Sequence, residues 1–494
     1  MKLHKRLNGS FVDAAFLTIV KVVTSLLGLV STRIISDGFS FHLYGTYSQS
    51  MLLNTTISAI IILGLTDAVN LYFNRFRDNK DFQQKYISNI FSLQIIIGVV
   101  ASVVVIIGKN IWISYFDNEE LAPLIKWVAA MPMLSNILGM QQVLFVSIGE
   151  VKIIAIRNLL VSVLRLIIFC IACYLTKNIE TILILQLVCD LGQVLYFKHL
   201  LGKYGVKVEL LIPQVKVIRE VLIYSIPISA FVVTSSLLRD IDKYIVGFYT
   251  NSETLAIFSN ASKILPLDMF VASLTTVLLP ILTKSIVDDD KMKLRQIYNL
   301  YFSVSIMVGL LMVGAAVVSA PSLMAVLYGD KYVIGLDVFV VYLLVTLVRF
   351  VNLALLFNAA GKSLIILAIS LGALLANVVL SICLFYCFGI VGCAIATLII
   401  SVVVNVLMMY KSKEILGTSA FNLIEWRTVG RVFVYALLIG FGSWWLCLFM
   451  ENNHFSHFLS MMLTSVIYIG ILIFFIKKKL MSDIRLLNKL EFNL

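Results

Sequence analysis

Charged side chains are scarce in this chain of 494 residues, and apolar side chains are abundant. Asp, Glu, Lys and Arg make up 13% of the residues, against roughly 25% in an ordinary soluble domain. Hydrophobic residues make up 60%, which is more than a water-soluble fold of this size could bury. The composition therefore excludes an ordinary soluble enzyme and makes the lipid bilayer the solvent for most of the chain.

Two further patterns are missing. The strict alternation of apolar and polar residues that marks an outer-membrane barrel is absent, and so are long loops. Runs of about 20 apolar residues, in which a helix pairs its own backbone groups, are present instead. We therefore predict an all-α integral membrane protein with about 14 transmembrane helices and no room for an extramembrane catalytic domain. The predicted spans are 11–36, 44–74, 86–108, 123–149, 152–176, 180–201, 219–248, 254–283, 296–320, 335–360, 363–387, 389–411, 428–450 and 457–476.

Motifs for metal, nucleotide and covalent chemistry are also lacking. The seven cysteines lie in apolar segments, and Cys170-x-x-Cys173 has no second pair. Gly361-Lys362-Ser363 resembles the end of a phosphate-binding loop, but Leu356 stands where that loop needs glycine. No nucleophile elbow or paired-histidine zinc motif occurs. We expect no enzymatic activity, no cofactor and no metal, and transport that is not driven by ATP.

The net charge of +12 is spread over short loops, without the aromatic-interleaved basic patch typical of nucleic-acid binding. If both termini are cytoplasmic, 28 of the 39 Lys and Arg residues fall on the cytoplasmic side, seven on the other side and four inside spans. The positive-inside rule therefore predicts cytoplasmic termini. The apolar run after Arg6 is too long for a signal-peptide core, so we expect an uncleaved first span.

An internal repeat appears at a shift of about 212 residues. Leu144-Phe-Val-Ser-Ile-Gly-Glu150 matches Leu356-Phe-Asn-Ala-Ala-Gly-Lys362. A shift of six spans preserves orientation, so we predict two six-helix lobes related by an axis along the membrane normal, plus two extra C-terminal helices. The predicted domains are an N-terminal lobe (1–201), a cytoplasmic linker (202–218), a C-terminal lobe (219–411), and helices 13 and 14 with a basic cytoplasmic tail (412–494).

Four bases lie centrally in predicted spans: Lys21, Arg165, Lys263 and Arg349. An ionisable group there costs about 2.5 kcal/mol or more and usually faces a cavity or a partner. Lys21 belongs to a small and polar stripe on span 1, and span 7 carries a similar stripe. We expect these bases to line a polar cavity between the halves, suited to an anionic cargo. The alternative is that the stripes are helix-packing faces and that each base pairs with an acid.

The acids inside spans suggest a second role. Asp67, Asp190 and Asp268 are candidates for binding a coupling proton or sodium ion. Asp190 and Asp268 could instead neutralise Arg165 and Lys263. The group Arg239, Asp240, Asp242 and Lys243 is either a gate or a self-neutralising cluster near the outer surface.

The chain resembles the polysaccharide-export branch of the multidrug/oligosaccharidyl-lipid/polysaccharide exporter superfamily, which contains the flippases of O-antigen and capsule repeat units. The resemblance covers essentially the whole chain. It is carried by Leu43-Tyr-Gly-Thr-Tyr47, by Asp242-Lys-Tyr-Ile-Val-Gly247 and by Ala256-Ile-Phe-Ser-Asn-Ala261, where Ala256 replaces the usual glycine.

The resemblance implies a substrate, an oligosaccharide linked to undecaprenyl pyrophosphate, and a location in the bacterial inner (cytoplasmic) membrane. Transport would run from the inner to the outer leaflet by alternating access. Membrane lipid and other polysaccharide-assembly proteins are the expected partners, and no nucleic acid is expected. A lipid II flippase and a multidrug/cation antiporter of the same superfamily are the alternatives. A membrane-embedded glycosyltransferase would need a larger outer loop with catalytic carboxylates.

Overall fold

The computed structural model describes residues 2–210, 212–263, 265, 267 and 269–492. Helix dominates this part of the chain, which contains no strand. Two short 3-10 turns at Glu119–Leu121 and Asp330–Gly335, and a π-helix at Ile171–Thr176, interrupt the α-helices. The α-helices are α1 (Lys2–Gly38), α2 (Phe41–Ile61), α3 (Leu65–Arg75), α4 (Lys80–Ile107), α5 (Lys109–Phe116), α6 (Ala122–Val128), α7 (Met131–Ser147), α8 (Val151–Cys170), α9 (Ile179–Lys203), α10 (Val215–Tyr249), α11 (Ser252–Ala261), α12 (Met269–Val287), α13 (Lys291–Val318), α14 (Ala320–Tyr328), α15 (Leu336–Arg349), α16 (Ala354–Ala359), α17 (Ser363–Lys411), α18 (Lys413–Leu416), α19 (Ala420–Leu423), α20 (Trp426–Asn452) and α21 (His457–Phe492).

The all-helical membrane architecture predicted from composition is confirmed. Within the described residues, 11 helical segments are long and apolar enough to cross a membrane, or 12 if the bent pair α2 and α3 forms one span. Many large apolar side chains on these helices are exposed, as hydrocarbon-facing residues must be. The count of 14 stays a prediction, and the differences fall at breaks in helices.

Two regions account for the difference in count. Residues 363–387 and 389–411, predicted as two spans, are continuous in α17 except at Gly389, whose backbone is non-helical. The chain folds back at this residue, because Asn377 Nδ2 donates to Thr397 Oγ1 at 3.1 Å, whereas 20 residues of straight helix would hold the two residues about 30 Å apart. The two predicted helices are therefore both present and pack side by side. The span predicted over 254–283 is divided, because α11 ends at Ala261 and α12 begins at Met269. The interval includes Pro266 in the sequence, and proline removes a helical hydrogen bond and clashes with the preceding turn.

The chain forms two compact units, residues 1–256 and residues 257–494, called here the N-terminal unit and the C-terminal unit. In the N-terminal unit, buried side chains from α3, α4, α7, α9 and α10 form one apolar core, which includes Phe145 and Phe197. In lipid, this core gains its stability from close van der Waals packing rather than from removal of apolar surface from water. The core packs α7 against α9, and both helices contribute side chains to the cavity described below.

The C-terminal unit has two cores. One joins α12, α13, α16 and α17. The other joins α13 to the hairpin of α20 and α21, which are the two extra C-terminal helices of the prediction. Tyr468 on α21 is buried there and donates a hydrogen bond to the carbonyl oxygen of Leu310 at 3.0 Å. The pairing of a buried phenol is needed because lipid offers no alternative partner.

The internal repeat is confirmed by backbone geometry. Residues with positive φ recur in four pairs separated by 212 positions: Asp117 and Gly329, Gly149 and Gly361, Lys177 and Gly389, and Gly205 and Gly417. The hydrogen bonds repeat as well, since Glu150 N–H donates to Phe145 and Lys362 N–H donates to Phe357, each at 2.9 Å. The repeated sequence segments therefore form the same helix-ending turn in both units.

The first motif of the family resemblance has a packing explanation. Gly45 lies in the first turns of α2, which is capped by the side chain of Ser40. A Cβ atom at position 45 would lie 1.9 Å from the carbonyl oxygen of Ser252. No side chain can be accommodated there, so glycine is required where the start of α2 meets the start of α11.

A polar cavity as the candidate functional site

A cavity of about 510 Å³ lies entirely within the N-terminal unit. Its wall is mainly polar, although the helices that form it are apolar elsewhere. The lining residues are Thr24, Asn54, Met131, Ser135, Leu138, Gly139, Gln142, Arg157, Asn158, Val161, Ser162, Arg165, Gln186 and Asp190. The polar side chains of this wall can bind hydroxyl, amide and charged groups within an otherwise apolar set of helices.

Helical periodicity explains why these side chains meet. On α8, the lining residues Asn158, Ser162 and Arg165 follow one another at spacings of four and three. On α7, Ser135, Gly139 and Gln142 have the same spacings, so each helix presents one polar stripe. Gln186 and Asp190 on α9 are four residues apart and complete the wall.

A relay of hydrogen bonds connects a base and an acid of the cavity through a neutral amide. Arg157 Nε donates to Gln193 Oε1 at 2.7 Å, and Gln193 Nε2 donates to Asp190 Oδ1 at 3.1 Å. The guanidinium also donates to the side-chain oxygen of Asn158 at 3.1 Å. Arg157 is thereby held in one orientation by amide oxygens and forms no direct ion pair among the described residues.

Arg165 lies two turns further along α8 and has an exposed side chain. Within the described part of the chain, it has neither a hydrogen bond nor an ion pair. Eight residues of helix separate it from Arg157, which is about 12 Å along the helix axis. The two guanidinium groups therefore place positive charge at two depths of the same cavity.

Neutral polar groups surround the charges. Asn54 lines the cavity, and its buried Oδ1 atom has no hydrogen-bond partner among the described residues. Ser135 lies beside a small network in which Ser58 Oγ donates to Asn136 Oδ1 at 2.6 Å. A buried acceptor without a donor is costly in a low-dielectric site. A ligand hydroxyl that donates to Asn54 would remove that cost.

Of the predicted cavity bases, Arg165 lines this cavity, together with the predicted acid Asp190. Lys21 is exposed on α1 and is not among the lining residues. It lies one turn from Thr24, which does line the cavity and whose hydroxyl donates to the Lys21 carbonyl at 2.9 Å. Lys21 and Thr24 are three residues apart and so lie on the same face of α1, and the place of Lys21 in the cavity stays a prediction.

The other predicted residues of the N-terminal unit lie elsewhere. Asp67 is exposed in the first turn of α3, where a carboxylate stabilises the positive end of a helix. In the predicted gate on α10, Lys243 Nζ and Asp240 Oδ1 form an ion pair at 2.7 Å. Asp242 is buried and Arg239 is exposed on the same helix.

The remaining predicted residues belong to the C-terminal unit. Lys263 is exposed and non-helical rather than central in a helix, because α11 ends before it. Arg349 is the exposed last residue of α15, just before the backbone breaks and resumes as α16. Asp268 lies outside the described residues.

Arg157, Gln193 and the neutral lining residues were not predicted. Arg157 is the seventh residue of α8, close enough to its start to be counted with the cytoplasmic bases. The polar stripe of Asn158, Ser162 and Arg165 was available in the sequence as a signal of helical period. Uncharged Gln and Asn side chains are less conspicuous because their cost inside a membrane is smaller than that of a charge.

The side chains of this site are suited to binding an anion. Two guanidinium groups can each form paired hydrogen bonds with phosphate oxygens, and the amides and hydroxyls can bind polar groups of either donor or acceptor type. With two guanidinium groups against one carboxylate, the wall favours an anionic ligand that also carries hydroxyl groups.

The fold is shared with solved membrane transporters. One solved structure with this fold is the lipid II flippase MurJ in an inward closed conformation, with a TM-score of 0.74, 14% identity, and coverage of 94% of this chain and 99% of that one. Another is an inward-facing multidrug resistance MATE family transporter of the MOP superfamily, with a TM-score of 0.67, 14% identity and coverage of 80% and 94%.

The sequence assigns the chain more narrowly. It belongs to the polysaccharide biosynthesis protein family, whose family model matches residues 44–335, more than half of the chain. Among characterised relatives it is similar to the capsular polysaccharide biosynthesis protein CapF of Staphylococcus aureus, with 22% identity over 291 residues, 58% of this chain and 69% of that protein. The family resemblance predicted from sequence is therefore confirmed, and the chain is a multi-pass membrane protein of this family.

Proposed function

We propose that this protein is a flippase that moves an oligosaccharide linked to undecaprenyl pyrophosphate from the inner to the outer leaflet of a bacterial inner membrane. It would work by alternating access, with both termini in the cytoplasm. The protein itself would perform no covalent chemistry. Lys21, Lys263 and Arg349 would add positive charge along the substrate path, and other polysaccharide-assembly proteins would supply and receive the substrate.

The observation that supports this proposal most directly is the polar cavity of the N-terminal unit. Arg157 and Arg165 are suited to a pyrophosphate, because guanidinium groups pair with phosphate oxygens in a planar, bidentate manner. The amides and hydroxyls around them are suited to sugar hydroxyls. A membrane potential that is negative inside would favour outward movement of negative charge by roughly 2.3 kcal/mol per charge per 100 mV.

The family and the capsular relative support a polysaccharide substrate. A coupling ion, a proton or sodium, would bind at one of the acids Asp67, Asp190 or Asp268. Asp190 is the strongest of these, because it lines the cavity and is connected to Arg157 through Gln193.

The test is a flipping assay in proteoliposomes that contain the purified full-length protein. The probe is a polyprenyl-pyrophosphate oligosaccharide with a fluorescent label, and dithionite added outside reports which leaflet holds it. We expect R157A/R165A to reduce the flipping rate at least about tenfold, because each lost charge-assisted contact costs about 1.5 kcal/mol or more.

The matched control is Arg219→Ala, which removes one exposed arginine from α10, outside the cavity lining. We expect its flipping rate to equal that of the unaltered protein. Equal rates for the double variant and the control would contradict the assignment of the cavity.

A lipid II flippase is the second candidate, favoured by the extent of the fold similarity to MurJ. A multidrug antiporter of the same superfamily is the third, favoured by the similarity to the MATE transporter. The same proteoliposomes separate the three, because unlabelled lipid II, unlabelled polysaccharide precursor and a cationic drug can each be tested as a competitor of the fluorescent probe.

A further inference from the structure

The last helix is too long for the membrane it enters. With 36 residues, α21 spans about 54 Å at 1.5 Å per residue, whereas the hydrocarbon core is about 30 Å thick. A core-spanning stretch of about 20 residues from His457 would end near Ile476. The residues that follow, beginning with Lys477, would therefore lie at the level of the lipid headgroups.

One face of this final part of α21 forms an open groove of about 730 Å³. Its lining residues are Phe474, Lys477, Lys478, Met481, Ser482, Arg485 and Leu486. They follow at spacings of three, one, three, one, three and one, which is the pattern of a single helix face. Three cations, a hydroxyl and exposed apolar groups therefore share one surface, with Phe474 80% exposed one turn nearer the membrane centre.

Lys479, the next residue on α21, is neutralised by two acidic side chains. Lys479 Nζ pairs with Glu425 Oε2 at 3.0 Å and with Asp483 Oδ1 at 3.3 Å. Asp483 is buried and also accepts a hydrogen bond from Ser303 at 2.7 Å. The hydrogen bond from Lys479 holds the pKa of Glu425 below its usual range. This face of α21 is thus occupied by protein contacts.

Lys477, Lys478 and Arg485 differ from Lys479. Among the residues that the structure describes, none of them has an ion pair or a hydrogen bond. Three uncompensated cations at headgroup depth attract anionic lipid, each contributing on the order of 1 kcal/mol to binding near a charged surface, or about fivefold in affinity.

We propose that the groove on the final part of α21 binds the headgroup phosphate of an anionic phospholipid, with Lys477, Lys478 and Arg485 as its cationic ligands. Ser482 lies between them and can donate a hydrogen bond to a phosphate oxygen. Phe474 and Met481 provide apolar surface for the acyl chains. The occupant is a phospholipid rather than a soluble anion, because the cations begin where the hydrocarbon core ends and an exposed phenylalanine lies on the core side of them.

The test is native mass spectrometry of the full-length protein in detergent, titrated with phosphatidylglycerol or with zwitterionic phosphatidylcholine. We expect the unaltered protein to retain phosphatidylglycerol and the variant K477Q/K478Q/R485Q to bind it at least about tenfold more weakly. Phosphatidylcholine should bind both proteins equally and weakly.

The matched control is K198Q/K203Q/K207Q, which removes the same charge from exposed lysines at and after the end of α9. We expect it to retain phosphatidylglycerol as the unaltered protein does. Equal loss in both triple variants would show an effect of net charge alone and would overturn the proposal. Undiminished binding by K477Q/K478Q/R485Q would also overturn it.

A second measurement does not depend on whether the variant folds. The unaltered protein is exposed to phosphatidylglycerol that carries a photoactivatable headgroup, and cross-linked peptides are mapped. We expect cross-links at residues 474–486, and cross-links confined to other segments would refute the site. Failure of the flipping assay would leave this result unchanged, because lipid binding at α21 does not require the cavity of the N-terminal unit.

Discussion

Arg157 shows how a membrane protein can keep a charge available for a ligand. A base inside the bilayer is usually neutralised by an acid, but Arg157 is held by the side-chain oxygens of Gln193 and Asn158. Amide oxygens satisfy the guanidinium donors without cancelling the charge. Asp190 is linked only indirectly, through Gln193. The ligand would therefore meet an oriented and still cationic group.

The coupling role proposed for Asp190 can be tested by replacing it with asparagine, which keeps the size of the side chain but cannot bind a proton. We expect D190N to lose any acceleration of flipping by an imposed pH or sodium gradient while still binding the substrate, because both guanidinium groups remain. The measurement is the flipping rate in proteoliposomes with and without each gradient.

Asp67→Asn is the comparison, since Asp67 is exposed on α3 and does not line the cavity. It should respond to the gradients as the unaltered protein does. A gradient response that survives in D190N and disappears in D67N would transfer the coupling role to Asp67.

How much of the site could be predicted depends on the cost of each side chain in lipid. Arg165 and Asp190 were predicted because a charge in the middle of an apolar run is conspicuous. Arg157 was missed because it lies near the start of its helix, where bases are common. Asn54 and Gln142 could not be placed in the cavity wall from sequence, because side chains from several helices form that wall.

At the scale of elements, the turn that ends α16 illustrates why the repeat is so regular. Gly361 has a φ of +67°, and no atom lies near the position its Cβ would occupy. Glycine is therefore needed for its backbone conformation and not for space. The equivalent Gly149 ends α7 in the same way.

We expect Gly361→Ala to destabilise the protein by about 1–2 kcal/mol, because an L-residue in the left-handed region brings its Cβ against the following carbonyl. The measurement is the apparent melting temperature of the purified protein in detergent. Gly372→Ala is the control, since Gly372 lies inside α17 with equally open space around it. Alanine is the better helix former, so this variant should melt at the same temperature or higher.

Apolar runs predicted where helices lie and predicted the break at Gly389, but they did not predict every break. The predicted span 44–74 bends by 41° between α2 and α3. Leu63 and Gly64 both adopt positive φ at this bend. Gly64 was the only local signal, and a leucine in that conformation depends on tertiary packing rather than on propensity.

At the scale of the whole molecule, the property that follows from the distribution of charged residues is the orientation of the protein in the membrane. The distribution of Lys and Arg predicts that the loop between α3 and α4 is cytoplasmic. In intact cells, a cysteine at Asp78 should therefore react with a membrane-impermeant maleimide only after the membrane is permeabilised. A cysteine at Asn453, after α20, should react without permeabilisation.

The background for this experiment needs care, because the chain has seven cysteines and two of them, Cys383 and Cys387, are exposed. Both should first be replaced by serine. Labelling of the Asp78 position from outside intact cells would reverse the predicted topology and, with it, the direction of transport.

The four pairs of residues with positive φ differ in how far the two copies share the same amino acid. Glycine occupies all four positions in the second copy, but the first copy has Asp117 and Lys177 at two of them. At these two pairs only the sign of φ is shared, since ψ is 48° at Asp117 and 156° at Gly329, and 33° at Lys177 and −142° at Gly389. A comparison of the two halves residue by residue would miss these positions. The repeat is therefore easier to recognise from where the main chain turns than from which amino acid stands at the turn.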